Sequence, residues 1–258
     1  MDTLFHLNLP QEKQRILSFL KKTFVEQKID HAVIGLSGGI DSTTSFFLLK
    51  EVLPPEKIHV AHMYYFEPIF DDIEKEVKKA DIPDENIHVL SIKDAVDAVI
   101  DLQQIDGNED DKVRIGNISA RMRMIVLFDL AKKYHGLVVG TENKSENLLS
   151  YFTRYGDQAS DIEPIEHLYK TQVYQLAKYL GVPDVLLNQA PTAGLWQGQT
   201  DEGQFGFTYE EADQVLILHL EQHKSIEEIE KLGFKNAKAI LAWRKKNLFK
   251  HHVPYIIK

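Results

Sequence analysis

Two glycines, an aspartate and flanking serines follow an apolar run in the segment VIGLSGGIDS at residues 33–42. Gly38 and Gly39 would let the backbone approach an anion closely, and the exposed N–H groups at the start of a following helix favour phosphate. The segment therefore predicts a phosphate-binding loop. A tight turn from a strand into a helix, with no ligand, is the structural alternative.

This loop fits neither of two common nucleotide-binding patterns. A Walker A loop carries Gly-Lys-Ser/Thr five residues after its first glycine, and counting from Gly35 gives Ile40 and Asp41 instead. The spacing Gly-x-Gly-x-x-Gly of dinucleotide binders is also absent. A carboxylate that faces phosphate is repelled unless a divalent cation lies between them, and Mg²⁺ is usually held by one or two carboxylates plus substrate phosphates. Asp41 is therefore predicted to be a metal ligand.

The spacing of apolar residues predicts the elements that position this loop. Short strands are expected at 31–36, 57–65, 86–92 and 136–141, and helices at 10–28, 42–52, 70–80, 93–102 and 116–134. Strands that alternate with helices indicate an α/β fold with an open parallel sheet between two layers of helices. The strand signal stops after residue 142, so the C-terminal part is expected to be helical. No repeat or linker interrupts the pattern, and residues 1–258 are predicted to form a single domain.

Composition argues against several classes of function. The chain of 258 residues has 30 Lys and Arg against 39 Asp and Glu, a net charge of −9 that does not favour nonspecific nucleic-acid binding. It has no cysteine, which excludes disulfides, thiolate zinc sites and a cysteine nucleophile. No signal peptide and no run of the roughly 18 apolar residues needed to cross a bilayer is present. A cytoplasmic protein that binds neither nucleic acid nor membrane is expected.

The loop and four later segments resemble a known family. Ser-Gly-Gly-x-Asp-Ser after a first strand is similar to the pyrophosphate loop of the ATP pyrophosphatases, which have a Rossmann-like sheet and cleave ATP between its α- and β-phosphates. Within that group, the resemblance to NAD synthetases lies in GNISARMRM (116–124), GTENKSE (140–146), YFTRYGDQASDIEPIEHLYKTQVYQLAKYLGVP (151–183) and APTAGLWQGQTDEGQFGFTYEEAD (190–213). Because the four segments agree in order and spacing, the resemblance covers nearly the whole chain from about residue 10.

The resemblance implies which residues bind ATP and its metal. The pyrophosphate contacts come from the loop, namely Gly35, Leu36, Ser37, Gly38, Gly39, Ile40, Asp41 and Ser42. Thr141, Lys170 and Thr192 resemble the other ATP contacts. Lys170 would also be a catalytic residue, because it would supply the positive charge that the loop lacks. Glu146 resembles the second Mg²⁺ ligand beside Asp41, with a solvated surface glutamate as the alternative.

The resemblance also implies a site for the second nucleotide, deamido-NAD⁺. Its contacts would come from Arg121, Arg154 and Asp161. Arg154 stands where relatives often have lysine, a change that keeps the charge but not the geometry. The C-terminal signature His-Lys-Arg of relatives is replaced by Phe249, Lys250 and His251, so a C-terminal contact is expected only through Lys250.

The reaction implied by the resemblance has two steps. The nicotinate carboxylate of deamido-NAD⁺ attacks the α-phosphorus of ATP and expels pyrophosphate, and ammonia then displaces AMP from the acyl-adenylate to give NAD⁺, the last step of its biosynthesis. Glutamine-dependent relatives use a separate amidase domain with a cysteine nucleophile, which this chain lacks, so direct use of ammonia is expected. Asp157 is the candidate that orients or deprotonates it. Asn117 is a candidate helix cap.

The sequence is compatible with two other functions, and one assembly is expected. A tRNA-modifying ATP pyrophosphatase would need a basic surface, and usually an added RNA domain or reactive cysteines. A nucleotide sensor without catalysis would bind ATP but not turn it over; it is disfavoured because Asp41, Glu146 and Lys170 are all present. The resemblance implies a homodimer whose deamido-NAD⁺ sites use both subunits.

Overall fold

A parallel β-sheet forms the centre of the molecule, for which a computed structural model describes residues 5, 7–68, 70–192, 196 and 198–257. The strands lie in the order β3-β2-β1-β4, and each neighbouring pair is parallel. They are β1 (His31–Gly35), β2 (Ile58–Tyr64), β3 (Ile87–Ser91) and β4 (Gly136–Val139). The central strands β1 and β2 are buried along nearly their whole length, as parallel strands are when helices cover both faces.

Helices connect and cover these strands. Those of the first half are α1 (Leu9–Gln27), α2 (Ile40–Leu49), α3 (Asp71–Lys79), α4 (Lys93–Leu102) and α5 (Lys112–Tyr134). Those that follow β4 are α6 (Lys144–Leu149), α7 (Lys170–Tyr179), α8 (Asp184–Leu187), α9 (Asp201–Phe205), α10 (Tyr209–Leu216), α11 (Ile226–Lys231) and α12 (Ala237–Asn247). A π-helical turn, Ile217–Glu221, extends α10, and a 3₁₀ turn, Leu248–His251, follows α12.

Three apolar clusters hold these layers together. On one face of the sheet, α1, α2 and α7 bury side chains such as Leu20, Phe46 and Leu176. On the other face, α4 and α5 contribute Val96 and Leu130. The third cluster lies in the C-terminal helices around α10, where aromatic rings dominate. The sheet between two helical layers and the helical C-terminal part agree with the prediction from sequence.

The start of α5 differs from the prediction. The helix begins at Lys112 rather than at Gly116, because a 3₁₀ turn, Glu109–Asp111, leads directly into it. Asn108 caps that turn by accepting hydrogen bonds from the N–H groups of Asp110 and Asp111. Asn117 therefore lies inside the helix, and its predicted role as a cap is wrong. None of the described helices is long and apolar enough to cross a membrane.

Candidate active site at the carboxyl edge of the sheet

The order of the strands creates a crevice between β1 and β4. The chain moves outward from β1 to β2 and β3, then returns to place β4 on the other side of β1. Loops after neighbouring strands thus leave in opposite directions, and ligands of open α/β sheets bind at such a point, beyond the carboxyl ends of the strands. Here the loop at 36–39 follows β1, and Thr141 follows β4.

The loop after β1 is held by its own hydroxyl groups. Ser37 Oγ accepts a hydrogen bond from Gly39 N at 3.2 Å and lies 3.1 Å from Ser42 Oγ. Gly38 has a φ of +88°, a conformation that favours glycine. The turn opens α2, so the first N–H groups of that helix face the crevice edge with the positive end of the helix dipole. This is the geometry expected of an anion-binding loop.

Lys170 joins the predicted catalytic and metal residues into one cluster. Its Nζ donates to Asp41 Oδ2 at 2.5 Å and to Glu146 Oε1 at 3.0 Å. Lys170 is the first residue of α7, and its backbone N–H donates to Ser145 Oγ at 2.8 Å, which fixes where the side chain starts. The three charged groups, distant in sequence, thus meet beside the loop.

Burial makes the charges of this cluster depend on one another. Only 3% of Lys170 is exposed, and burial by itself disfavours its charge. Asp41 and Glu146 outweigh that effect, so the pKa of Lys170 lies well above its usual value. Burial raises the pKa of Glu146 to about 8 even though Lys170 opposes the rise. The cluster therefore holds one stable positive charge, while burial opposes ionisation of the Glu146 carboxyl group.

Three residues of this site were not singled out from sequence. Asn143 is fully buried; its Nδ2 donates to Asp41 Oδ1 at 2.9 Å and its Oδ1 caps α6 by accepting from Glu146 N at 3.0 Å. Tyr209 OH donates to Asp201 Oδ2 at 3.1 Å, and Lys170 Nζ lies 5.1 Å from the centre of the Tyr209 ring. All three fall within the family-like segments, but only the tertiary contacts show what they touch.

The carboxylates of Asp41 and Glu146 suit a magnesium ion. Both contact the same ammonium nitrogen, so a single small cation can reach both. Carboxylate oxygens are the ligands that Mg²⁺ prefers, with the remaining positions left to phosphates and water. The described residues contain no group of three or more His, Cys, Asp or Glu side chains with metal-binding geometry. The donor set thus fits a metal shared with a phosphate ligand, not a metal enclosed by protein.

Asp157 lies in a second group of charges beside this cluster. Its Oδ1 accepts a hydrogen bond from Thr153 N at 2.9 Å, and the hydroxyl of Thr153 lies 2.7 Å from Asn117 Oδ1. Asp157 is exposed, yet the protein around its carboxyl group raises the pKa by desolvation. Lys250 acts on it electrostatically from the C-terminal turn.

Of the residues predicted to contact deamido-NAD⁺, Arg121 and Arg154 lie together at the surface. Arg121 Nε donates to the backbone oxygen of Arg154 at 3.2 Å, and the Arg154 guanidinium lies 5.6 Å from the centre of the Phe249 ring. Lys250 is held by backbone oxygens: its Nζ donates to Ser150 O at 3.0 Å and to Phe152 O at 2.8 Å.

Three other predicted residues take different positions. Asp161 Oδ2 accepts from Val138 N at 2.8 Å, so this side chain supports β4. Thr141 lies two residues after the end of β4 and is half-buried. Thr192 is exposed after α8, at the edge of a stretch that is only partly described. The structure therefore brings the metal and pyrophosphate residues into contact with one another, whereas the residues for the second nucleotide are more widely spread.

Comparisons with known proteins agree with this geometry. Residues 12–254 match the family model for NAD synthase. The chain is 37% identical over 254 residues to an NH(3)-dependent NAD(+) synthetase of Fusobacterium nucleatum, a match that covers 98% of this chain and 97% of that protein.

Two solved structures have the same fold over 98% of this chain and 100% of their own. An NMN synthetase from Francisella tularensis gives a TM-score of 0.82 at 30% identity. An NH3-dependent NAD synthetase from Campylobacter jejuni gives a TM-score of 0.79 at 26% identity. With its loop, its buried Lys170 and its family match over most of its length, the chain belongs to the NAD synthase family.

Proposed function

We propose that the protein is an ammonia-dependent NAD synthetase, a ligase that converts deamido-NAD⁺, ATP and ammonia into NAD⁺, AMP and pyrophosphate. The observation that carries this proposal is the contact of Lys170 with Asp41 and Glu146 beside the loop after β1. A buried cation next to an anion-binding loop suits a reaction whose leaving group is pyrophosphate. The tRNA-modifying alternative is not favoured, because the matched relatives are NAD synthetases.

In the first step the chain mainly positions ATP and neutralises charge. Backbone N–H groups of Gly38, Gly39 and the start of α2 would hold the pyrophosphate portion, and Lys170 would balance the charge that develops as it leaves. Asp41 and Glu146 would hold Mg²⁺, which supplies further charge neutralisation on the phosphate oxygens when bound. Thr141 and Thr192 are proposed as the remaining ATP contacts.

The second step needs a nitrogen nucleophile in place of water. At neutral pH ammonia is mostly ammonium, so a group must accept or hold a proton before the nitrogen attacks the acyl carbon. Asp157 suits this role because it is accessible to solvent and its pKa is raised, which makes it a better proton acceptor than an ordinary aspartate. Arg121, Arg154, Asp161 and Lys250 are proposed to hold deamido-NAD⁺ around it.

A homodimer is proposed as the working form, and α5 offers a surface for it. Ile125 is 53% exposed on this helix, and Met122 and Val126 beside it are only half-buried. Apolar side chains along one exposed helix face suit a contact with a second copy. Arg121 lies on the same helix, so a partner at this face would lie close to the proposed deamido-NAD⁺ site. A single domain and a cytoplasmic location stay predictions from the sequence.

A second candidate is synthesis of NMN from nicotinic acid mononucleotide by the same two steps. It is favoured by the similarity to the Francisella tularensis NMN synthetase, at 30% identity and with a TM-score of 0.82. The dinucleotide stays the first proposal, because the Fusobacterium nucleatum relative is more similar to this chain at 37% identity.

The test is an assay of purified protein with ATP, Mg²⁺ and ammonium chloride, in which deamido-NAD⁺ and nicotinic acid mononucleotide are compared. We expect AMP, pyrophosphate and NAD⁺, with a higher kcat/KM for the dinucleotide. Release of ADP and phosphate would contradict an α–β cleavage. A higher kcat/KM for the mononucleotide would favour the second candidate. If the protein binds ATP but turns over neither substrate, the result would favour a nucleotide sensor without catalysis.

A further inference from the structure

A buried carboxyl group beside the active site has an oxygen without a hydrogen-bond partner. Glu142 follows Thr141 in the loop that leaves β4, and only 6% of it is exposed. Its Oε2 has no partner among the described residues. Burying a polar atom unpaired costs free energy, and such atoms are rare in native structures. An unpaired carboxylate oxygen at this place therefore points to a ligand that donates a hydrogen bond.

The surroundings of Glu142 favour a positively charged ligand. Burial raises the pKa of Glu142 well above its usual value, and Asp157, Glu146, Glu163 and Asp41 raise it further in that order. These neighbours disfavour a negative charge on Glu142, so without a bound cation the carboxyl group favours its protonated form. A cation beside Oε2 would offset that repulsion and stabilise the ionised carboxylate, whereas an anion would not.

The nearby protein cations are already hydrogen-bonded to other groups. Lys250, which acts on both Asp157 and Glu142, donates to Ser150 O and Phe152 O. Arg123 Nε donates to Met63 O at 3.1 Å. Lys170 donates to Asp41 and Glu146 instead. None of these hydrogen bonds reaches Glu142 Oε2, so no described lysine or arginine neutralises that oxygen directly.

The geometry favours a hydrogen-bond donor over a metal ion. Glu142 belongs to no group of three or more carboxylates, histidines or cysteines with metal-binding geometry in the described part of the chain. An ammonium ion needs no such tight cage, because it donates four separate hydrogen bonds. It is also the form in which the nitrogen substrate is mostly present at neutral pH.

We propose that Glu142 binds the substrate ammonium ion, with Oε2 accepting one of its hydrogen bonds while Asp157 accepts another. This inference rests on the proposed function and adds a binding residue to it. Glu142 lies within electrostatic reach both of Asp41 and Glu146, where ATP is proposed to react, and of Asp157. An ion held by Glu142 and Asp157 would therefore lie close to the acyl-adenylate when that intermediate forms.

Glu163 offers a matched control, because it is a neighbouring carboxyl group whose two oxygens are both bonded. Its Oε1 accepts from Ser160 Oγ at 2.7 Å, and its Oε2 accepts from Glu142 N at 3.1 Å. It packs against Gly140 so closely that a Cβ there would lie 1.8 Å from Oε1. Glu163→Gln thus removes a similar carboxyl group from the same cluster without removing an unpaired acceptor.

The test compares Glu142→Gln with Glu163→Gln in two assays of the full chain. The overall reaction gives KM for ammonium, ATP and deamido-NAD⁺. Exchange of labelled pyrophosphate into ATP, dependent on deamido-NAD⁺, reports the first step alone and needs no ammonia. For Glu142→Gln we expect KM for ammonium to rise about 10-fold or more, because the ion loses one charged hydrogen bond. The rate of pyrophosphate exchange should stay within about twofold of wild type. Glu163→Gln should raise that KM much less.

The outcomes separate this inference from the proposed function. Wild-type protein that makes no NAD⁺ would contradict the function itself. Active wild type with an unchanged KM for ammonium in Glu142→Gln would overturn the inference alone, as would an equal fall of exchange and overall rate. If Glu142→Gln does not fold, Glu142→Asp, whose side chain is shorter by one methylene group, is measured in its place.

Anomalous scattering from crystals soaked in thallium(I), a cation close to ammonium in size, should place a peak at Glu142 in wild type and none in Glu142→Gln.

Discussion

At the scale of single residues, Lys170 is the centre of the site. It meets Asp41 and Glu146, which stand 129 and 24 positions away in the sequence. Removing one partner of a buried ionic group leaves the others uncompensated, which costs more than losing the whole group. The three side chains should therefore behave as a unit in both stability and catalysis.

Lys170→Met should destabilise the fold in a way that depends on pH. We expect a loss of about 3–5 kcal/mol at pH 8.5, because two buried carboxylates then face each other without a cation. The loss should shrink at pH 5.5. Glu146 already has a folded-state pKa of about 8, above its unfolded value, so its protonated form favours folding at low pH and that contribution disappears as the pH rises through the folded pKa. Urea unfolding at both pH values measures this, and an equal loss at both would contradict it.

Asp41→Asn should abolish most of the activity without unfolding the protein. The amide keeps the shape and a hydrogen-bond acceptor for Asn143, but it removes the charge that faces Lys170 and the proposed metal. We expect kcat to fall about 10²- to 10³-fold, the usual effect of deleting one group that stabilises developing charge. The AMP release assay measures this. Asp101→Asn, at an exposed position on α4, is the control, and full activity in Asp41→Asn would remove that residue from the site.

At the scale of elements, α10 determines where α7 begins and hence where Lys170 lies. The fully buried Asp213 on α10 accepts from Thr171 N at 3.0 Å and Thr171 Oγ1 at 2.9 Å through Oδ2, and from Ser145 through Oδ1. One carboxylate thus ties α10 to the first turn of α7 and to α6. The C-terminal helices are part of the site through this contact.

Asp213→Asn should weaken that junction. An amide has one acceptor oxygen where the carboxylate has two, so either the Ser145 or the Thr171 donors lose their partner. We expect a loss of about 1–3 kcal/mol in urea unfolding and a fall in activity as Lys170 shifts. Glu210→Gln, at an exposed position on the same helix, serves as the comparison. A variant as stable and active as wild type would show that the junction does not depend on this carboxylate.

Histidines near the amino ends of the strands should make the sheet sensitive to acid. His59 on β2 stacks on Tyr134 at 3.8 Å between ring centres, and its Nε2 lies 3.2 Å from His31 Nδ1. Burial lowers the pKa of His59 to about 4, helped by His31, His88 and Lys133. Because this folded-state value lies below the unfolded one, the contribution to stability is full above about pH 6.5 and is lost as the pH falls through 4.

His59→Phe keeps an aromatic ring for Tyr134 but cannot take a proton. We expect the urea midpoint of this variant to change less between pH 7 and pH 4.5 than that of wild type. His135→Asn, at the exposed end of α5, should show the wild-type pH dependence. If His59→Phe loses as much stability in acid as wild type does, the acid sensitivity comes from other groups.

At the scale of the whole molecule, the exposed apolar face of α5 is expected to join two copies. Ile125→Asp should place a charge in the middle of that contact and convert a dimer into monomers in analytical ultracentrifugation. KM for deamido-NAD⁺ should rise about 10-fold or more if the partner contributes to the site. Val25→Asp, at a residue 75% exposed on α1, is the control. Wild-type protein that sediments as a monomer at micromolar concentration would contradict the dimer.

Local patterns in the sequence were enough to predict much of the molecule. Alternating strands and helices predict the parallel sheet, because the spacing of apolar residues in each element shows which of its faces is buried. The loop motif predicts an anion site after β1, and the acidic composition argues against nucleic acid as a partner. The family-like segments also predict that Asp41 and Glu146 share a metal and that Lys170 contacts ATP.

Contacts between distant segments were decided only by the tertiary structure. Nothing in the local pattern shows that β4 lies beside β1, that Asn143 bonds Asp41, or that Asp213 anchors α7, because each depends on how the helices pack. The same holds for the unpaired oxygen of Glu142: its residue type is common, and only burial among other carboxyl groups makes it a candidate ligand. Residue types fix the chemistry available to this chain, while packing determines which charges must share one buried space.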